Sequence, residues 1–384
     1  MQAQTRQQMG GVYYAYPEGP SAKTGTFGTA TYVMSDSLNV PQGFAPFYIS
    51  HYGRHGSRWM PKDDRYVWIC KHFEDESNLT PLGLQVKGML QRVWENAKGN
   101  GGRLSKLGAL QHQGIAHRMF ERYPQIFAAG NAVKARSSVV DRCAKSMQAF
   151  TSELHSLQPG LNLDVKTDSA DMAWIAYVSP EVKALENRTH VQAQVSPRRF
   201  LLQLFKDVSK VDEPLKLMTE MHTVASSIQD VGLNFSSYPQ DIEDGLNALF
   251  TDDEFRAIYE ANNLRMAINN GTVATNEDIP ARSAISLWQN IEAEADRALR
   301  SVKSSATLRF GHDTALYRLL SLLFDVNVPP AGAREEANLV VLGDEMEKMD
   351  RVVPMAANLQ MIFYKNAKDS VLVKFMLNER DVML

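Results

Sequence analysis

Short apolar runs and helix-like periodicities alternate along this chain. Residues 44–50 form a short, almost wholly apolar run, as in a buried strand, and a polar segment containing glycine follows it. Two stretches with apolar residues at helical spacing come next, and they begin after Thr80 and Ser105, residue types that cap helix N-termini. From about residue 180 to residue 303 the pattern is almost entirely helical. The chain therefore begins with alternating strands and helices and continues with helices alone.

Further strand patterns lie at both ends of the chain. These runs are 131–135, 161–167, 305–310, 358–364 and 370–376. A turn-forming segment joins the last two, which predicts a hairpin. Strand–helix alternation around a helical middle predicts an α/β fold with a three-layer core, a mostly parallel central sheet and an α-helical inserted domain. We expect residues 1–170 and 301–384 to form the α/β domain and residues 171–300 to form the helical insert.

Composition and charge narrow the class of protein. Apolar residues make up 44% of the 384 residues and charged residues 22%, an ordinary globular balance. Lys and Arg number 41 against 44 Asp and Glu, so the basic excess typical of nucleic-acid binding is missing and we expect no such partner. No run of about 18 apolar residues occurs, so we expect no membrane span. Cys70 and Cys143 are too few for a disulfide scaffold or a multi-cysteine zinc site, and whether they form one bridge stays open.

The strongest chemical signal is the segment Arg54-His55-Gly56-Ser57-Arg58. It follows a predicted strand directly, where α/β sheets expose their binding crevice. Arginine carries planar, permanently charged donors that suit phosphate oxygens, and histidine can act as a nucleophile. Two flanking cations lower the imidazole pKa and keep the ring neutral. Gly56 allows the backbone to approach a ligand closely. The segment predicts a phosphate site with a nucleophilic histidine.

This segment resembles the signature of the histidine acid phosphatases, a family that includes phytases. That family carries Arg-His-Gly-x-Arg near its N-terminus and a His-Asp pair near its C-terminus. Here the pair is His312-Asp313, which follows a predicted strand and a glycine and opens a helix. A third match begins at Arg136, at the end of a strand, and continues through Asp141-Arg142 into a helix. The resemblance assigns Arg136 to phosphate binding and leaves Arg142 a structural or supporting role.

The resemblance implies a phosphomonoesterase that uses neither a metal nor another cofactor. His55 would attack phosphorus to form a phosphohistidine, and Asp313 would protonate the leaving alkoxide and then assist water. The phosphate oxygens would be held by Arg54, Arg58, Arg136 and His312. Because the acid must be protonated to act, we expect an acidic pH optimum.

Substrate and location are also implied only by resemblance. The favoured substrate is a small phosphorylated molecule, phytate or another inositol polyphosphate. Lys62 is a candidate contact for a second phosphate, with a solvated lysine as the alternative. Multiple inositol polyphosphate phosphatases usually carry His-Ala-Glu in place of the His-Asp pair, so the order of phosphate removal stays open.

Other functions and the cellular location stay open as well. The alternatives are a broad-specificity acid phosphatase on sugar or other phosphomonoesters, a phosphoglycerate-mutase-like phosphotransferase, and a non-catalytic phosphate-binding protein. The resemblance implies a periplasmic or secreted protein, although residues 1–6 lack the apolar stretch of a signal peptide. The oligomeric state is not predicted.

Overall fold

The computed structural model describes residues 5–16, 24–27, 30–33, 40–232, 245–273, 275–324 and 348–382. A small antiparallel pair joins β1 (Thr24–Phe27) to β2 (Ala30–Val33). A larger sheet contains β3 (Ala45–Arg54), β4 (Ala132–Ser137), β5 (Asn162–Thr167), β6 (Ser305–Gly311), β7 (Asn358–Lys365), β8 (Val371–Leu377) and β9 (Arg380–Asp381).

The seven strands of the larger sheet lie in the order β5-β4-β6-β3-β7-β8-β9. The first four run parallel to one another, and β7, β8 and β9 each pair antiparallel with their neighbour. The predicted hairpin is the β7–β8 pair. The sequence prediction of an α/β fold with a mostly parallel centre is confirmed.

Helices surround this sheet and fill the middle of the chain. They are α1 (Asp63–Lys71), α2 (Pro81–Ala97), α3 (Lys106–Arg122), α4 (Asp141–Leu157), α5 (Met172–Ile175), α6 (Pro180–Arg188), α7 (Arg198–Leu202), α8 (Pro214–Val231), α9 (Asp252–Asn270), α10 (Ile279–Arg282), α11 (Ile285–Leu299), α12 (Asp313–Phe324) and α13 (Met349–Val352). Within the described ranges there are also five 3-10 helices: Gln8–Tyr13, Glu76–Asn78, Ser169–Asp171, Val208–Lys210 and Gly245–Leu249. Thr80 and Ser105 cap α2 and α3 as predicted, each accepting a hydrogen bond from a backbone N–H three residues on.

Helices cover both faces of the sheet and produce the three layers. Apolar side chains of α3 and α4 form one buried cluster with β3, β4, β6 and β7. Those of α11 and α12 form a second cluster with β3 and β7 on the opposite face. A third cluster unites α1 and α2 with α7, α8 and α9. The helical middle of the chain is thus packed on helices from the first part, and the domain boundaries stay a prediction.

The register of the central strands determines where the two sequence motifs meet. β3 and β6 are parallel neighbours, and Arg54 at the end of β3 pairs with Gly311 at the end of β6. Because parallel strands end at the same edge of a sheet, His55 and His312 follow side by side. The sheet edge therefore brings together motifs that are more than 250 residues apart in the chain.

The described residues answer two questions raised by the sequence: whether the two cysteines are bridged, and whether a helix could span a membrane. Cys70 is half-buried and Cys143 is buried, and both are free thiols. No helix within the described ranges is long and apolar enough to cross a membrane.

Candidate active site

The 54–58 loop begins at the last residue of β3 and is held against its neighbours by backbone contacts. The His55 N–H donates a hydrogen bond to the Gly311 carbonyl at the end of β6 (3.0 Å). Gly56 lies so close to α3 that a Cβ atom there would come within 2.4 Å of the Gly108 carbonyl oxygen. The sequence predicted that this glycine admits a ligand. In the structure the absence of a side chain at Gly56 allows α3 to pack directly against the loop. This contact fixes the position of the loop that carries His55.

His55 is buried, and one of its two ring nitrogens makes a hydrogen bond. Its Nδ1 lies 2.9 Å from the Gly56 carbonyl oxygen, which can only accept, so Nδ1 carries the proton and Nε2 carries the lone pair. Burial lowers the pKa of His55 well below its usual 6.5, and neighbouring charged or ionisable groups lower it further. These groups are Arg54, Arg58, Arg142 and His312. The ring is therefore neutral at physiological pH, with a nucleophilic Nε2.

Arg54 is completely buried and connects three parts of the chain. Its Nη1 donates to the carbonyl oxygens of Val12 (2.7 Å) and Val353 (2.6 Å). Its Nη2 lies 3.0 Å from Asp313 Oδ2. Burial raises the pKa of Asp313, but the charges of Arg54, His312 and Arg58 outweigh it and hold that pKa below its usual value. Without substrate, Asp313 is thus a carboxylate paired with Arg54.

Arg58 is the second cation of the loop and is oriented by its surroundings. Its Nη1 donates to the Trp59 carbonyl (2.8 Å), and its guanidinium carbon lies 5.5 Å from the centre of the Tyr13 ring. Stacking of a guanidinium on an aromatic ring is favourable and restricts its orientation. The N-terminal segment, which the sequence left without a role, thus supplies one wall of the site.

His312 faces His55 across the end of the sheet. The two ring centres are 5.8 Å apart in an edge-to-face arrangement. His312 Nε2 lies 3.3 Å from Ser138 Oγ and 3.8 Å from Cys143 Sγ. Burial lowers the pKa of His312 to about 4, and the charge of Arg142 acts in the same direction. His312 is therefore a neutral ring beside His55.

Arg142 lies close enough to act on these groups electrostatically, although the sequence interpretation gave it only a structural or supporting role. It stands in the first turn of α4, and its positive charge lowers the pKa values of both His55 and His312. Its Nε is buried and makes no hydrogen bond within the described residues. The available signal was its place directly after a strand and a short loop at the binding edge of the sheet. The structure gives the third cation of the cluster as Arg142.

Arg136, which the sequence interpretation assigned to phosphate, is not brought to this cluster. Its Nη2 lies 2.6 Å from Asp164 Oδ2, and its Nε lies 3.8 Å from Asp171 Oδ2. The reason is the two-residue period of a strand. Ala135 and Ser137 are buried on one face of β4, so Arg136 points to the other face, toward β5. The assignment of Arg136 to phosphate binding stays a prediction, and these ion pairs give it no support.

Lys62 is the predicted contact for a second phosphate. Lys62 directly precedes α1, and its side chain is exposed to solvent. That exposure agrees with both sequence readings, a solvated lysine and a contact for a distant phosphate. The role of Lys62 stays a prediction.

A buried carboxyl lies beneath the 54–58 loop and was not anticipated. Asp230, near the end of α8, accepts a hydrogen bond from Ser57 Oγ (2.6 Å), and Ser57 Oγ also accepts one from Gln111 Nε2 (2.9 Å). Burial raises the pKa of Asp230 to about 8, although Ser57, Arg58 and Arg54 act to lower it. This group joins the helical middle of the chain to the 54–58 loop, and no local sequence signal marked it.

A group of arginines around a neutral histidine, at the carboxyl edge of a parallel sheet, is an arrangement suited to phosphoryl transfer. Comparison with known proteins agrees with that class. The chain is 24% identical over 298 residues to multiple inositol polyphosphate phosphatase 1 of Gallus gallus. This alignment covers 73% of the present chain and 64% of the length of that relative. No protein-family model matches the chain.

Solved structures of two enzymes share the fold over nearly the whole chain. The multiple inositol polyphosphate phosphatase of Bifidobacterium longum, in complex with inositol hexasulfate, superposes with a TM-score of 0.71 at 16% identity, covering 98% of this chain and 92% of that one. The phytase from D. castellii superposes with a TM-score of 0.66 at 13% identity, covering 99% and 80%. The chain is thus homologous to multiple inositol polyphosphate phosphatase and has the α/β fold of the phytases, so the predicted resemblance to the histidine acid phosphatases is confirmed.

Proposed function

We propose that this protein is a histidine acid phosphatase that hydrolyses phosphomonoesters of inositol through a phosphohistidine on His55. The observation that carries the proposal is the neutral, buried His55 with a free Nε2, surrounded by Arg54, Arg58 and Arg142. Asp313 stands next to the same cluster, 3.0 Å from Arg54. Nucleophile, anion-binding groups and a proton donor are thus together at one sheet edge.

The reaction proceeds in two displacements. The lone pair of His55 Nε2 forms a bond to phosphorus while the bond from phosphorus to the leaving oxygen breaks, and Asp313 gives its proton to that oxygen. Three guanidinium groups stabilise the charge on the equatorial oxygens. Water then attacks phosphorus, Asp313 accepts a proton from it, and the bond to His55 Nε2 breaks. The phosphate-binding set is Arg54, Arg58, Arg142 and His312.

The proton on Asp313 arrives together with the substrate. In the free protein Arg54 keeps this carboxyl ionised. A bound phosphate dianion places negative charge beside the carboxylate and competes for the guanidinium, and both effects raise the pKa of Asp313. Protonation therefore becomes favourable as substrate binds at mildly acidic pH. On this account the rate falls as pH rises because Asp313 loses its proton.

Phytate and other inositol polyphosphates are the substrates we favour. The named relatives act on, or are complexed with analogues of, such compounds, and Lys62 is a candidate contact for a distant phosphate. A broad-specificity acid phosphatase, a phosphoglycerate-mutase-like phosphotransferase and a non-catalytic phosphate-binding protein are the alternatives. We also propose a periplasmic or secreted location, supported only by the family resemblance. Cell fractionation tests it, and recovery of the native protein in the cytosol would contradict it.

Phosphate release from p-nitrophenyl phosphate and from phytate tests the function. We expect the wild type to release phosphate from both and His55→Ala to release none, while calorimetry still detects phosphate binding by the variant. His155→Ala is the matched control, since that histidine is exposed on α4. Turnover by His55→Ala at the wild-type rate would overturn the mechanism. Phosphate binding by a wild type without any turnover would favour the non-catalytic alternative.

A further inference from the structure

Ser138 carries a buried hydroxyl at the same sheet edge as His55 and His312, and the proposed reaction does not use it. It follows the last residue of β4, Ser137, which pairs with Phe310 on β6. The Ser138 N–H donates a hydrogen bond to the Phe310 carbonyl oxygen (3.0 Å). The backbone of Ser138 is therefore anchored to the strand that leads into His312.

The side chain of Ser138 meets one ring nitrogen of His312. Ser138 Oγ lies 3.3 Å from His312 Nε2, and Cys143 Sγ lies 3.8 Å from the same nitrogen. Burial raises the pKa of Cys143 to about 11, so the thiol keeps its hydrogen, which it donates to the Gly311 carbonyl oxygen (3.2 Å). Ser138 is therefore the donor available to Nε2. The other ring nitrogen, Nδ1, makes no hydrogen bond within the described residues.

The Ser138 hydroxyl has a choice of two acceptors. Its contact with the Cys143 thiol also has the character of a hydrogen bond. A thiol sulfur is a weak acceptor, whereas the lone pair of a neutral imidazole nitrogen is a good one. The hydroxyl hydrogen is therefore better placed on His312 Nε2 whenever that nitrogen is unprotonated.

The position of a single hydrogen decides what His312 offers to a phosphate. Burial lowers the pKa of His312 to about 4, and the charge of Arg142 acts in the same direction, so the ring carries one N–H at neutral pH. If that hydrogen is on Nε2, Nδ1 presents a lone pair, which repels the oxygens of a phosphate dianion. If the hydrogen is on Nδ1, His312 donates to the phosphate and Nε2 needs a donor of its own.

We propose that Ser138 is a positioning residue that holds His312 in the tautomer with the hydrogen on Nδ1. The Ser138 hydroxyl donates to Nε2, and the Nδ1–H then donates to an oxygen of the phosphate that is transferred. The hydrogen bond made by one ring nitrogen sets the protonation of the other. This role rests on the proposed function and deepens it, because it makes His312 a donor to the phosphate.

Replacing Ser138 by alanine removes the donor to Nε2 and leaves His312 free to take either tautomer. We expect kcat/KM for p-nitrophenyl phosphate at pH 7 to fall about tenfold or more, as for the loss of one hydrogen bond to a charged group, and the inhibition constant of inorganic phosphate to rise. Ser137→Ala is the matched control, since Ser137 is equally buried and its Oγ lies 2.7 Å from Thr167 Oγ1 on β5. It should keep the wild-type values. Unchanged constants in Ser138→Ala would overturn the proposal.

The pH dependence of this loss separates a tautomer effect from a general disturbance of the site. The titratable and charged groups that face His312 are all kept in the variant: Tyr52, Arg54, His55, Arg58, Arg142, Cys143 and Asp313. A protonated ring has hydrogens on both nitrogens, so it donates to phosphate without help from Ser138. The ratio of the phosphate inhibition constants of Ser138→Ala and the wild type should therefore fall toward one as pH is lowered from 7 toward 4. A ratio that stays constant would contradict the proposal.

Nitrogen NMR of the isotope-labelled protein gives a signature that depends neither on turnover nor on folding of the variant. With inorganic phosphate bound at pH 7, His312 of the wild type should be protonated on Nδ1 and not on Nε2, and loss of its signals in His312→Asn identifies them. Ser138→Ala should carry the hydrogen at least partly on Nε2. A wild type protonated on Nε2 in the phosphate complex would overturn the proposal. Absence of all turnover, with phosphate bound and the expected tautomer present, would instead contradict the proposed function alone.

Discussion

Replacing Asp230 by asparagine tests whether the carboxyl beneath the catalytic loop is neutral in the folded protein. The side chain is completely buried, and burial raises its pKa to about 8 against the opposing effects of Ser57, Arg58 and Arg54. Asparagine keeps an oxygen that accepts the hydrogen bond from Ser57 Oγ (2.6 Å in the wild type) and removes the titration. The variant therefore isolates the charge.

The size of the effect follows from the two pKa values of this group. The carboxyl of an aspartate in an unfolded chain has a pKa of ~3.9. Between that pH and about 8, the folded protein holds a proton that the unfolded chain has released, so stability falls as pH rises through the window. One pKa unit corresponds to about 1.4 kcal/mol, and the wild type should lose about 4 kcal/mol between pH 5 and pH 8 through Asp230 alone.

Urea unfolding of the wild type and Asp230→Asn at pH 5 and pH 8 measures this loss. All other titrating groups are shared, so their contribution cancels when the two pH differences are subtracted. We expect the unfolding free energy of the variant to fall by about 4 kcal/mol less than that of the wild type. Asp253→Asn, an exposed aspartate on α9, is the control and should fall with the wild type. Equal losses in the wild type and Asp230→Asn would refute the reasoning.

Three further predictions follow from the site. Arg142→Ala should lower kcat about 10²- to 10³-fold, as expected when one transition-state donor is removed. Arg136→Ala should change kcat less than about twofold. The reverse order in steady-state assays would support the assignment of Arg136 to phosphate binding. Asp313→Asn should lower kcat/KM, which reports the first displacement, more for inositol phosphates than for p-nitrophenyl phosphate, because nitrophenolate leaves without a proton; an equal decrease in kcat/KM would argue against a general acid. Stability should also fall as pH drops below ~6.5, because buried histidines with pKa values lowered to about 3 must be charged on unfolding; thermal melting from pH 7 to pH 4 checks this. These histidines are His51, His112 and His222.

The meeting of the two motifs was predictable because it depends on strand direction alone. Parallel neighbouring strands end at the same edge, so any chemistry placed after β3 and β6 converges there. The apolar runs identified both strands, and glycine and polar residues marked their ends. His55, Arg54, Arg58, His312 and Asp313 were therefore accessible from the pattern and the resemblance together.

The surroundings of Arg136 and Arg142 show what sequence spacing alone does not determine. Both arginines lie near the end of one strand, and which of them reaches the site depends on strand register. One residue of register reverses the face to which a side chain points. Arg136 falls on the face that pairs with Asp164, while Arg142 lies past the loop in the first turn of α4. An apolar alternation of three residues is too short to fix that register from the chain alone.

The contributions of the helical middle were not accessible for a different reason. The role of Asp230 depends on contacts between residues far apart in the chain, such as its hydrogen bond with Ser57, 173 residues away. Helical periodicity predicts which face of α8 or α9 is buried, but not which polar residue on that face meets the catalytic loop. The resemblance was also weakest over this part of the chain.

Two carboxyls of the site are expected to limit its activity at high pH. His55 is neutral throughout the useful range, so the nucleophile sets neither limit. In the proposed mechanism, substrate-bound Asp313 loses its proton as pH rises, and kcat should then fall because the leaving group is no longer protonated. Ionisation of Asp230 near pH 8 instead puts a negative charge beside Arg58, which weakens attraction of the phosphate and raises KM. Asp313 is therefore expected to limit kcat at high pH, and Asp230 to raise KM. An acidic optimum should appear in the dependence of kcat on pH and not in that of KM.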